Sequence, residues 1–402
     1  MSTESPFMIS IPDVKITALK RKLAEAEFPD ELEDAGWDYG VPLADVKRLV
    51  ARWKDGYDWR AAEKELNDTL PQFTRDIDVE GFGTLNVHYV HKKGDAVDAI
   101  PLLFVHGWPG SFIEVKKILP LLTSSTPDHP SFTVVALGLP GFGFSEAPRT
   151  KGFNPIQFAE VGHKLMLALG YSEYVTQGGD WGYRITRIIA SLYGPKHAKA
   201  WHTNYPVASP PGFLDHPKEY LTHLFSRYTE KETAGFARTQ WFQDVGRGYL
   251  VEQSTQPQTL GYGITDSPVG LLAWIYEKLV NWTDGYKWDD DEVLTWISIY
   301  WFSRAGPAAS LRIYYENRLA FSKQAALRPT VPLGVSHYPK ELRVVPKIWA
   351  CTIGNVVYQG EHDHGGHFAA HEQPESLVED LREMYRKGGP TFAVVPGKTG
   401  YN

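Results

Sequence analysis

Between residues 100 and 203 the chain alternates short apolar runs with helical stretches, breaks off, and resumes the alternation after Pro329. That interrupted rhythm constrains the fold more than any other feature. Apolar runs at 100–105 and 132–137 and β-prone runs at 174–178 and 198–203 are separated by helical periodicity at about 111–122, 155–169 and 183–193, the order expected of a parallel sheet with crossover helices. Two β runs at 74–80 and 84–91 precede it. After the break, 331–336 and 353–359 read as two more strands and 372–386 as a closing helix. Pro332 makes the first of these irregular, since proline is tolerated mainly at a strand's start or edge. The expectation is an α/β fold with a mostly parallel, eight-stranded sheet.

The interruption, 207–328, is mostly helical in pattern and rich in Trp, Tyr and Phe, with a Pro- and Gly-punctuated loop at 256–268. It reads as a lid nested in the core. Residues 16–70 are helical and aromatic-rich, with Trp37, Trp53, Tyr57 and Trp59 set among charged positions, and make a poor core alone. The expected organisation is an N-terminal wrapping segment (1–72), a first core part (73–206), the lid (207–328) and a second core part (329–402). No internal repeat is visible, which removes solenoids and propellers.

Composition narrows the partners. The 402 residues are 43% apolar and 22% charged, an ordinary globular balance, but 13 Trp, 21 Tyr and 19 Phe exceed what a generic aliphatic core requires. A net charge of −7 without long basic runs argues against nucleic acid or an anionic membrane surface and favours a small neutral ligand. The single cysteine, Cys351, cannot form an intramolecular disulfide; an inert buried thiol in a reducing compartment is expected. The apolar patch at 7–12 is too brief for a signal peptide or a membrane span, so a soluble, cytoplasmic protein is expected.

The chemistry centres on Gly178-Gly179-Asp180-Trp181-Gly182, between a strand run and a helix. Small-x-nucleophile-x-small is the form of a nucleophile elbow, a sharp turn that needs small neighbours so that one side chain can project. Here that side chain is a carboxylate. Simple capping of the helix by Asp180 is the alternative. His106-Gly107-Trp108-Pro109-Gly110 follows the run at 100–105, where this fold supplies one backbone N–H of an oxyanion hole; the other comes from the residue after the nucleophile. The donors are then Trp108 and Trp181. Gly365-Gly366-His367-Phe368 follows the last strand run, and nucleophile, acid, histidine is the chain order of α/β-hydrolase triads. His367 is the candidate base and Glu341 its orienting carboxylate, with Asp363 as rival. The run Glu361-His362-Asp363-His364 reads as a solvated loop, because no second ligand cluster accompanies it as a closed metal site would require. His88 and His91, on a strand run, read as structural.

Together these residues resemble the epoxide hydrolases of the α/β-hydrolase fold, specifically the microsomal-type branch in its soluble fungal or bacterial form. The resemblance spans most of the chain. It includes Tyr57-Asp58-Trp59-Arg60, the stretches 106–112 and 138–145, and Asp266-Ser267-Pro268-Val269-Gly270. It implies two lid tyrosines that polarise the epoxide oxygen, falling on Tyr249 and on Tyr314. Tyr314 is preferred over its neighbour Tyr315 because it follows an Arg-apolar pair as the family's tyrosine does. Animal-type relatives carry a membrane anchor that this sequence lacks, and a homodimer is what the resemblance suggests.

The chemistry fits those residue types. An epoxide carbon is sp³, so an attacking serine would leave a stable ether, whereas a carboxylate leaves an ester that water can hydrolyse. The expected reaction is epoxide to vicinal diol through an ester on Asp180, with His367 activating water, Glu341 orienting the His367 ring and no metal or organic cofactor. A haloalkane dehalogenase would use the same Asp, and Trp181 would suit a halide, but the lid tyrosines and the N-terminal segment favour the epoxide. A non-catalytic binding protein of this fold would not need every triad position filled. A serine esterase is disfavoured because the chain has no Gly-x-Ser-x-Gly.

Overall fold

The computed structural model describes residues 4–325 and 327–402; Met1, Ser2 and Thr3 of the expected N-terminal segment and Ala326 of the expected lid lie outside them. The strands are β1 (Ser5–Pro6), β2 (Gln72–Val79), β3 (Gly83–Lys92), β4 (Ile100–Val105), β5 (Phe132–Leu137), β6 (Tyr174–Gly178), β7 (Ala198–Thr203), β8 (Pro332–His337) and β9 (Asn355–Glu361). They form one sheet in the order β1-β2-β3-β5-β4-β6-β7-β8-β9. From β5 to β9 every pairing is parallel, while β1, β2 and β3 are joined antiparallel to each other and β3 to β5. The sheet is the expected one plus β1, a two-residue edge strand too short to leave a sequence signal.

Every residue of β4, β5 and β6 is buried, as strands covered by helices on both faces must be. Pro332 stands first in β8, the position where a missing N–H costs least. Cys351 is half-buried, and burial pushes its thiol up to about 11, which keeps it protonated and unreactive at neutral pH.

Two local readings need correction. The helix expected at 111–122 is instead a 3₁₀ turn, Phe112–Val115, followed by a short helix, Ile118–Thr123. Pro120 explains the break, because its ring clashes with the carbonyl four residues earlier and it donates no hydrogen bond. The loop expected at 256–268 is largely helical, Pro257–Asp266. Pro257 occupies the first helical position, where its fixed φ favours helix initiation. At Gly261 a Cβ would come within 3.0 Å of the Ala308 Cβ, so this glycine permits a close helix contact rather than a turn.

Between β7 and β8 the chain runs through the helices Pro217–Phe225, Glu230–Trp241, Gly248–Thr255, Pro257–Asp266, Pro268–Asn281, Asp290–Trp301 and Arg312–Ala325. The N-terminal helices pack on this insertion. Trp59 lies 5.1 Å from Phe302, Trp37 lies 6.1 Å from Tyr276, and the Tyr57 hydroxyl is 3.0 Å from the Thr295 hydroxyl. Arg52 grips Asp291 with two hydrogen bonds of 2.8 and 2.7 Å. Trp53 and Trp59 are buried, and apolar burial of such rings, about 3 kcal/mol each, outweighs exposed ion pairs in holding the segment down. Among the described residues no helix is long and apolar enough to cross a membrane.

Candidate active site

The turns leaving the carboxyl ends of β4, β6, β8 and β9 carry Trp108, Asp180, Glu341 and His367, and in open parallel sheets this edge is where ligands bind. At the turn after β6, Asp180 has φ 51° and ψ −121°, a conformation that a non-glycine residue adopts only when its surroundings impose it. Its neighbours leave no choice. A Cβ on Gly182 would lie 1.9 Å from the Val105 carbonyl oxygen, and one on Gly178 would lie 2.6 Å from the backbone of Gly182. The Asp180 side chain makes no capping hydrogen bond to the helix Trp181–Tyr193 that it precedes. Capping therefore does not account for it.

Instead the Asp180 carboxylate is shared between two neighbours. Oδ1 accepts from the Trp108 backbone N–H at 2.8 Å, and a Cβ on Gly107 would lie 2.3 Å from that same oxygen. Oδ2 is 3.5 Å from His367 Nε2. The other ring nitrogen, Nδ1, donates to Glu341 Oε1 at 2.5 Å, and the Leu342 N–H donates to that oxygen at 2.6 Å. Trp181 opens the following helix, where backbone N–H groups have no intrahelical acceptor. Burial alone would lower the His367 pKa, but the anions of Glu341 and Asp180 outweigh it and push it up to about 10.

Tyr249 and Tyr314 are both buried, with ring centroids 5.8 Å apart. The Trp108 ring stacks on Tyr249 at 5.2 Å, and the Trp181 ring meets Tyr314 edge-on at 4.7 Å. Burial, then the charge of Asp180, keeps the Tyr249 phenol well above its ordinary range; burial, then Tyr249, then Asp180 does the same for Tyr314. Both phenols line a cavity of about 450 Å³ together with Asp180, Trp181 and Phe321. Tyr315 is half-buried, with the Arg318 guanidinium 5.3 Å from its ring centre, and does not line that cavity.

The rival carboxylate is elsewhere. Asp363 is exposed and paired with Lys231 at 2.6 Å. In the same run Glu361 pairs with Lys347, His362 with Asp380, and His364 lies 3.6 Å from Asp284. Each side chain turns to a different partner. His88 is buried against Gln72 at 2.9 Å, and His91 bonds Glu4 and Tyr171.

A second, smaller space of about 20 Å³ lies behind the carboxylate, lined by Asp180, His367, Glu114, Gln177 and Asn204. It is large enough for one water. Gln177 gives its N–H to Asn204 at 2.8 Å, and its Oε1 is buried without a donor. Burial pushes the Glu114 carboxyl up to about 8, so it is mostly the neutral acid at pH 7. Glu114 and Gln177 were not singled out from the sequence. The available signal was Glu114 as the one carboxylate inside the apolar stretch after Gly110.

The family model described as "Epoxide hydrolase N terminus" matches residues 4–115, and that of the "alpha/beta hydrolase fold" matches residues 100–248. Epoxide hydrolase 1 of Sus scrofa is 36% identical over 94% of this chain and 88% of its own length. Among solved structures, an epoxide hydrolase from Aspergillus niger superimposes with a TM-score of 0.82 at 33% identity, covering 94% of this chain and 95% of that one. The juvenile hormone epoxide hydrolase of the silkworm Bombyx mori does so with a TM-score of 0.85 at 29% identity, covering 95% and 93%.

Proposed function

The chain belongs to the epoxide hydrolase family of the α/β-hydrolase fold, and on that premise we propose how its own residues convert an epoxide to a vicinal diol. Asp180 Oδ2 attacks a ring carbon, the C–O bond breaks, and its electron pair moves onto the epoxide oxygen. That oxygen takes a proton from Tyr249 or Tyr314. An alkoxide is a stronger base than a phenolate, so the transfer is downhill even from a phenol that burial has made a weaker acid. The observation that carries the reading is the shared carboxylate: one oxygen held by the Trp108 N–H, the other facing His367, with two buried phenols lining the same cavity.

At rest His367 is an imidazolium, because two carboxylates face it. Esterification erases the charge of Asp180, the ring's pKa falls, and its proton returns to the phenolate left by ring opening. The imidazole is thus neutral only once there is an ester to hydrolyse. It then removes a proton from water as the water oxygen attacks the ester carbonyl, and Glu341 stabilises the imidazolium that re-forms. The oxyanion develops at the Trp108 and Trp181 N–H groups, where loss of one donor costs on the order of 3 kcal/mol in barrier. Collapse expels the second alcohol, which takes the imidazolium proton. The regenerated carboxyl group then returns a proton to the ring, so proton inventory and charges end where they began. The water-sized space beside Gln177, Glu114 and His367 supports this placement of the nucleophilic water.

A panel of aryl, glycidyl and aliphatic epoxides with diol detection tests the reaction class. For the mechanism, a single turnover with enzyme in excess in oxygen-18 water should give unlabelled diol and label in Asp180. Label in the diol would mean direct attack by water. Tyr249→Phe and Tyr314→Phe should each slow ester formation by about 10- to 100-fold, and the double variant by about 10⁴-fold, measured by pre-steady-state quenching. Tyr315→Phe should match the parent protein; a larger loss there than at Tyr314 would reverse the assignment.

A further inference from the structure

Beside the substrate cavity lies another of about 330 Å³, which shares Arg184 and Phe321 with it and is walled further by Tyr183, Arg187, Gln324 and Arg343. Three guanidiniums therefore border one space. No Asp or Glu lines it among the described residues, and none of the three arginines forms an ion pair there. Arg187 spends its terminal nitrogens on the carbonyls of Gln324 and Leu327, at 3.3 and 2.8 Å. Its Nε, the Nε of Arg343 and the Nε2 of Gln324 are buried without acceptors. Arg184 lies between the Trp181 and Phe321 rings, 5.8 Å from each centroid. All three guanidiniums act on Tyr183, whose phenol burial pushes up and whose charged neighbours Arg187, Arg184 and Arg343 push down.

Three like charges around one space, with two guanidinium Nε donors and the Gln324 amide buried and unmet, are unfavourable unless an anion joins them, and the planar guanidinium fork matches a carboxylate. The cavity is also in register with the chemistry. Arg184 and Arg187 stand three residues apart on the helix that follows Asp180, hence on the same face, and a rise of 1.5 Å per residue sets Arg187 about 10 Å along the axis beyond the turn that carries the nucleophile.

We propose that this cavity takes the acid end of the substrate, so that the favoured substrates are epoxides carrying a carboxylate about 10 Å from the ring, the ring at Asp180 and the carboxylate among Arg184, Arg187 and Arg343. The proposal rests on Asp180 as the nucleophile and names the substrate class of that site.

The test compares an ω-epoxy medium-chain fatty acid with its methyl ester. In the parent protein kcat/KM for the acid should exceed that for the ester by about tenfold or more, the scale of a charge-assisted hydrogen bond or two. Arg343→Gln should bring the ratio towards one through the KM of the acid, and Arg343→Lys should retain part of it. The epoxide-free fatty acid should inhibit ester hydrolysis competitively, and more weakly in Arg343→Gln, whereas acetate at the same concentration should not inhibit. Inhibition by acetate as strong as by the fatty acid would make the cavity a site for free small anions and overturn the proposal. Equal kcat/KM for acid and ester, or a ratio unchanged in both variants, would overturn it while leaving epoxide hydrolysis at Asp180 intact. Diol from no epoxide at all would overturn both.

Discussion

Asp180→Ala should abolish diol formation, a loss of about 10⁴-fold or more in kcat, while the protein remains folded. The ester through which the ring opens, and which water then cleaves, forms on this carboxylate. Among the described residues no other carboxylate is placed to substitute, since Glu341 points its Oε1 at His367 Nδ1 and Glu114 is mostly neutral. Direct attack by water is disfavoured too, because nothing then holds the water in line with the ring carbon. The stability change should be small. Alanine at φ 51° costs about 1 kcal/mol more than aspartate, which tolerates the left-handed region better, and loss of the Asp180 anion also weakens the hold on the His367 proton. Near-UV circular dichroism and a melting curve establish that the variant is folded, and chromatography of the products reads the activity. Residual kcat within tenfold of the parent would remove Asp180 from the centre of the mechanism.

How much of the site is legible in the sequence depends on how local its causes are. The elbow was legible because its requirement is local: Gly178 and Gly182 sit where a Cβ would strike backbone, and that need is written in five consecutive residues. Glu341 and His367 were legible from chain order, since the turns after successive strands of a parallel sheet open on the same edge. Tyr314 is separable from Tyr315 in the sequence only by the adjoining Arg-apolar pair; in the fold only Tyr314 lines the cavity, because adjacent helical residues face about 100° apart. The misread stretches are those where one residue has two meanings. Gly261 marks a loop in the sequence but permits a helix contact in the fold, and Pro120 divides a stretch whose apolar spacing is helical throughout. Glu114 shows in the sequence only as a lone carboxylate in an apolar stretch, and the three arginines leave no local sign. Their character comes from burial and from neighbours far along the chain, Arg343 lying well over a hundred residues beyond Arg184.

His367→Gln should separate the two half-reactions. Ring opening needs the Asp180 carboxylate and a phenol, neither of which is removed, so the variant should still consume one equivalent of epoxide per site. Hydrolysis of the ester needs a base, and a glutamine amide cannot accept the water proton; general-base catalysis contributes about 10²- to 10⁴-fold, and ester turnover should fall by that order. The ester should therefore accumulate. Because the epoxide adds whole, with its oxygen protonated by a phenol, the intact mass should rise by the full mass of the substrate, and peptide mapping should place the adduct on Asp180. Removing the imidazolium also removes a cation 3.5 Å from the nucleophile that would otherwise draw on its charge, so alkylation should not slow for electrostatic reasons. Glu341→Gln provides the graded case: the ring remains, but without its anionic partner its pKa falls, and the imidazolium formed during hydrolysis loses stabilisation. Ester should build up transiently there rather than persist. An unmodified His367→Gln protein, after exposure to an epoxide that the parent turns over, would rule out the covalent route and leave His367 as a base acting directly on water attacking the ring.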